Sequence, residues 1–104
     1  MINNLENLKA LQQAHQFTLK IYKLTSSFPR QEQFRLVDQI CRSASSVSAN
    51  IAEGNGRQTK KEFIQFLYQA KGSLSETQYH LLLAKDLNLI SLAIYEDLIK
   101  DSDQ

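Results

Sequence analysis

Two histidines, His15 and His80, and one cysteine, Cys41, are the side chains best suited to acid–base, nucleophilic or metal chemistry, and their spacing supports none of these. Neither histidine has a glutamate three residues before it, as a di-iron bundle requires, and neither sits at zinc-ligand spacing from a cysteine or carboxylate. No serine or cysteine occupies a G-x-S-x-G element. The arginine that helical-bundle ribonucleases place four to six residues before their histidine is also missing, since Lys9-Ala10-Leu11 and Leu74-Ser75-Glu76 stand there. Gly54-Asn55-Gly56-Arg57 lacks the spacing of a phosphate loop and follows no strand, so it reads as a helix end and a tight turn that uses positive φ. A lone cysteine excludes an internal disulfide and a thiolate zinc site, and predicts a reducing, cytoplasmic setting. The expectation is therefore a chain without catalysis, metal, cofactor or small-molecule substrate.

Charge offers a different chemistry. The formal net charge is only +1, yet residues 1–85 carry eleven Lys and Arg against six acids, while residues 86–104 carry one against five. Arg57, Lys60 and Lys61 crowd one expected bundle end, and Lys71 shares an azimuth with Lys60 along the helix that follows. Such a cluster is either a solvated face or a surface for nucleic-acid phosphates.

The elements that carry these residues are helical. The 104 residues fit one domain, 1–104, and three glycines and one proline are too few for the turns of a small β-domain. Ala10, Ala14, Phe17, Ile21, Leu24 and Phe28 recur at alternating threes and fours, predicting a first helix over 5–26 that Pro29 separates from the next. Val37, Ile40, Ala44, Val47 and Ile51 predict a second helix over 31–53. Thr59 and Glu62 form a capping-box pattern for a third helix reaching Lys85, in which Gly72 is expected to mark close packing. A short fourth helix over 91–100 completes an all-α, up-down-up-down bundle. It is too short to cover its neighbours, so part of their core-facing surface is left open or closed by another chain. No segment approaches the roughly 20 apolar residues that span a bilayer, and the first residues lack an export signal, so no membrane partner is expected.

Two side stripes remain after the core is assigned. Phe63, Leu67, Ala70, Leu74, Thr77, Leu81 and Ala84 form the core face of the third helix. Ile64, Tyr68, Ser75, Tyr79 and Leu82 form a second stripe roughly 140° away. Ile64, Tyr68, Tyr79 and Leu82 are candidate contacts between subunits, or else the flank of one broad buried face. On the second helix Cys41, Ser45, Ser48 and Ala52 are small residues suited to close packing within the chain.

The segments FPRQEQF (28–34), QICRSASSVSANIAEGNGR (39–57) and KKEFIQFLYQAKGSLSE (60–76), with Leu87-Asn88-Leu89 after them, carry a specific pattern. In it the chain resembles the four-helix bundle family encoded in the intervening sequences of bacterial 23S rRNA genes. The resemblance implies an up-down bundle that assembles as a homopentameric ring and binds or scaffolds rather than catalyses. A relative of this fold, the accessory variability determinant of diversity-generating retroelements, is a basic ring, which implies RNA or a reverse-transcriptase-like protein as partner. The alternatives are an RNA-processing enzyme acting near the rRNA locus and a purely structural assembly without nucleic-acid affinity. Asn50, Glu53, Arg57, Ser73 and Glu76 fall on the motif positions, either as a polar network tying the second turn to the bundle or as a shared binding surface. Against the family pattern, Cys41 replaces the first of two basic residues, Ser48 stands near a usual proline, and the C-terminus stops early.

Overall fold

The computed structural model describes residues 5–103. Helix α1 (Leu5–Thr25) ends where its own hydroxyls take over the last carbonyls. Thr25 Oγ1 donates to the Ile21 carbonyl at 2.9 Å, Ser26 Oγ to that of Lys23 at 2.7 Å, and Ser27 Oγ to that of Leu24 at 3.0 Å. Such short-range bonds compete with the helix ladder and help to end it, and Pro29 then prevents its return. Phe28 is buried and anchors the turn to the core.

The second helix starts later than its periodicity predicts. Residues Arg30–Glu32 form one 3₁₀ turn, and α2 runs Leu36–Asn55, with Arg35 at φ −117° and ψ −100° before it. The Gln33 amide donates to the Phe28 carbonyl at 3.2 Å, and the Glu32 N–H to the Pro29 carbonyl at 2.9 Å, which holds the turn tight. This offset lets Leu36, Val37 and Ile40 face the core while Phe34 remains 94% exposed.

At its far end α2 continues through Gly54 and Asn55, and no glycine takes a positive φ. The expectation of a left-handed helix end there is thus corrected. Gly54 is needed for space: a Cβ at this position would lie 3.0 Å from Phe66 Cβ and 3.4 Å from Phe63 Cδ1. Helix α3 (Lys60–Asp86) then begins with Thr59 Oγ1 accepting from the Glu62 N–H at 3.2 Å, as the capping pattern predicts.

Gly72 was expected at a close contact, but a Cβ there would meet nothing within 4 Å among the described residues of neighbouring elements, so the close-packing reading is corrected. The two glycines therefore predict opposite outcomes for one substitution. Gly72→Ala should stabilise the isolated chain by about 1 kcal/mol through helix propensity. Gly54→Ala should destabilise it by about 1–3 kcal/mol through overpacking against Phe66. Urea denaturation of the two variants, read by far-UV circular dichroism, checks both signs.

Helix α3 closes in a Schellman turn. Asn88 stands at φ 63°, the Leu89 N–H reaches the Ala84 carbonyl and the Asn88 N–H the Lys85 carbonyl, each at 2.9 Å. Ser91 then caps α4 (Leu92–Ser102) by accepting from the Ile94 N–H at 3.1 Å. The described residues contain no strand, and the helices form an up-down bundle in which α2 packs on both α1 and α3, while α4 bridges α3 and α1.

The main core gathers Phe17, Ile21, Phe28, Leu36, Val37, Ile40, Ala44, Leu81, Ala84, Ile90 and Leu98 at the end that α4 covers. A smaller cluster of Val47, Ile51 and Ala70 lies beyond the end of α4. Hydroxyl pairs fix the register of α2 against both neighbours. Thr18 Oγ1 lies 3.0 Å from Ser48 Oγ on the α1 side, while Thr77 and Ser73 donate to Ser43 and Ser46 at 2.7 and 3.0 Å on the α3 side. Cys41 Sγ sits 3.4 Å from Thr25 Oγ1, so the small-residue stripe of α2 begins as packing within the chain.

Candidate functional site

The second stripe of α3 points away from α2. Tyr68 is 70% and Tyr79 58% exposed, Ile64 is exposed at the margin of the stripe, and Leu82 is half-buried. Helical phase places Gly72 and Ser75 between the two tyrosines, so the face has aromatic ends and a low centre. Within the single chain a buried face does not extend to Tyr68 and Tyr79, whereas Leu82 lies at its flank.

A second outward stripe lies on α1, and the periodicity reading missed it. Leu5, Leu8, Leu19 and Tyr22 are exposed on the side opposite Phe17 and Ile21. The spacing was present in the sequence, but Gln12 and His15 interrupt its middle and hide the apolar pattern. Helices α1 and α3 share no close backbone contact, and α2 stands between them, so the two stripes occupy different flanks.

The basic residues separate into two groups. Arg57 Nη2 lies 2.6 Å from Glu53 Oε1, and its guanidinium carbon is 4.7 Å from the Phe66 ring centroid. Its charge is thus matched and its plane is held at the α2–α3 turn. Lys60 and Lys61 are exposed in the first turn of α3, where the helix dipole already presents positive charge. Among the described residues no carboxylate pairs with Lys60, Lys61 or Lys71, and Lys71 stands about 16 Å further along the helix axis than Lys60.

The five motif positions do not join into one network. Asn50 donates to the Ser46 carbonyl at 2.9 Å and to Ser46 Oγ at 3.1 Å, and Ser73 donates to the same Ser46 hydroxyl, which links α2 to α3. Glu53 and Arg57 form the separate pair at the turn. Glu76 Oε2 stands 3.5 Å from His80 Nε2, further along α3 and apart from the Ser46 cluster. Ser46, which joins two motif residues, was not singled out by the sequence.

His80 is turned inward against the start of α2, in a shallow recess lined by Leu36, Gln39 and Leu83, and neither ring nitrogen has a hydrogen-bond partner. His15 is exposed on α1. Among the described residues there is no group of three or more His, Cys, Asp or Glu able to hold a metal ion, and no helix is long and apolar enough to cross a membrane.

Comparison with known proteins agrees with this architecture. The model of the family described as 23S rRNA-intervening sequence protein matches residues 6–104. A crystal structure of a protein with unknown function from the S23 ribosomal protein family of Bacteroides thetaiotaomicron is similar, with a TM-score of 0.80 and 31% sequence identity. The match covers 90% of this chain and 88% of that one. No curated protein matches the chain.

Proposed function

The chain belongs to the 23S rRNA-intervening sequence protein family, and from that premise we propose that it acts without catalysis, as a homo-oligomeric scaffold that engages RNA or an RNA-associated protein. The observation that carries this reading is the exposed Tyr68–Gly72–Ser75–Tyr79 face on the longest helix, together with a second apolar stripe on α1. Two different apolar flanks suit head-to-tail contact, in which the α1 stripe of one copy meets the α3 stripe of the next. Such heterologous contacts close into rings when the rotation permits, and a pentamer is the proposed closure. Tyrosine suits the role because its ring supplies apolar area while its hydroxyl tolerates a wet rim.

The RNA component of the proposal rests on Lys60, Lys61 and Lys71. Two lysines in the first turn of a long helix work against its dipole, and a local cost of this kind is expected where a surface serves another purpose. In a ring each cluster is repeated, so weak phosphate contacts add. Arg57 contributes less, because Glu53 already neutralises it.

Fluorescence anisotropy with a labelled single-stranded RNA tests this component. The expected affinity at physiological salt is on the order of 10⁻⁴ to 10⁻⁶ M per chain, falling steeply as salt rises and showing little sequence preference. Lys60→Ala with Lys61→Ala should weaken binding and flatten the salt slope. Binding that ignores both salt and these substitutions would remove RNA and leave a protein partner. RNA cleavage at catalytic turnover by the pure protein would overturn the non-enzymatic reading.

A further inference from the structure

Helix α4 stops short of the far end of the bundle, and the space below it is built like the seat of a helix. Asp101 reaches Lys20 of α1 at 2.6 Å, and the Gln78 amide of α3 donates to Ser102 at 2.8 Å, so these contacts mark where α4 ends. Beyond them α1 extends from Lys20 back to Leu5 and α3 from Gln78 back to Lys60, leaving a slot of about 23–27 Å between them. Its upper part is an apolar cleft of about 140 Å³ with Ala10 and Ala14 on one wall, Leu74 on the other and Val47 and Ile51 as the floor. Leu67, one heptad beyond Leu74 on nearly the same azimuth, is 37% exposed, whereas Leu81 on the same stripe is fully buried.

The rims carry charge in the register that α4 already uses. Lys9 lies eleven residues before Lys20 and on nearly the same azimuth of α1, and with Lys20 and Asp101 it lines an open recess that adjoins the cleft at Gln13 and Phe17. Lys71 lies seven residues before Gln78 on the α4-facing side of α3. Where Lys20 meets Asp101, Lys9 meets no carboxylate, and neither does Lys71, among the described residues. The slot is therefore about four helical turns long, with an apolar floor in its upper part and a lysine without a carboxylate partner beside each rim.

We propose that this groove docks one acidic amphipathic α-helix of a partner protein, seated where further turns of α4 would lie. Its apolar seam covers Ala10, Ala14, Val47, Ile51 and Leu74, and acidic residues on its two flanks pair with Lys9 and Lys71. It runs in the direction of α4, because the positive N-terminal end of the incoming helix then abuts the carbonyl end of α4. The groove lies on the α4 side, apart from the Tyr68–Tyr79 face, so the inference holds with or without assembly and without RNA.

The test uses the full chain and two labelled helical peptides of about 18 residues. One has leucine at its a and d positions and glutamate at the flanking e and g positions; the other carries lysine in place of glutamate. The glutamate peptide should bind at least about tenfold more tightly, by anisotropy, than the lysine peptide. Lys9→Glu with Lys71→Glu, both at exposed positions, should reverse that preference without changing the circular dichroism spectrum. Amide NMR shifts on binding should centre on Ala10, Ala14, Val47, Ile51 and Leu74, and should persist in a Tyr68→Glu, Tyr79→Glu variant. Equal binding of the two peptides, no binding of either, or shifts centred on Tyr68 and Tyr79 would overturn the proposal. So would groove shifts that grow with protein concentration alone, since a second copy would then be the occupant.

Discussion

Replacing Tyr68 and Tyr79 together with glutamate is expected to turn the proposed assembly into a folded monomer. Both side chains are exposed in the single chain, so the substitutions cost the fold little. Within a subunit contact each would bury a carboxylate without a partner, a penalty of several kcal/mol per interface, and a ring repeats it at every junction. Tyr79 is a better choice than Leu82, which is half-buried and whose change would confuse loss of assembly with loss of fold. Sedimentation velocity should show one slow species while circular dichroism stays helical. A double variant that remains assembled would remove this face from the interface.

The second large effect lies in the core. Leu81 is fully buried where α3 meets the main cluster, so Leu81→Ala should cost about 2–5 kcal/mol through lost burial and the cavity left behind. Domains of this size are stabilised by only about 5–15 kcal/mol in total, and the variant should melt more than about 10 °C below the parent. Leu67→Ala, two heptads away on the same predicted stripe, should change stability by about 0.5 kcal/mol or less. Thermal denaturation of the pair measures the contrast directly. Equal losses would mean that Leu67 is covered as Leu81 is.

That contrast shows what periodicity can reveal. The spacing of Phe63 to Ala84 marks the direction of the core, and Ala70, Thr77, Leu81 and Ala84 are buried along it. The spacing does not record where α4 ends, so Leu67 reads like Leu81 although it is 37% exposed and Leu81 is fully buried. The start of α2 was missed for a related reason: Gln31 to Phe34 favour helix by composition, but burial of Phe28 and Leu36 forces a 3₁₀ turn between them. Gly54 and Gly72 look alike in sequence, yet one is held by the neighbouring Phe66 and the other faces open space.

The candidate site was legible in part. Tyr68 and Tyr79 stood out because aromatic residues off the core face are conspicuous on a long helix. The α1 stripe did not, because Gln12 and His15 interrupt it. The motif residues were legible as a group, but their partners were not. Only the fold separates Asn50 and Ser73, which meet through Ser46, from the Glu53–Arg57 pair and from Glu76 beside His80. The groove beyond α4 follows from the shortness of that helix, but its basic rims emerge only when Lys20 is seen to pair with Asp101.

The mass of the wild-type protein in solution tests the central claim most directly. Multi-angle light scattering at micromolar concentration and near-physiological salt should give a closed species of five 11.9 kDa chains, about 60 kDa. A particle of 11.9 kDa that stays monomeric as concentration rises would contradict the scaffold reading.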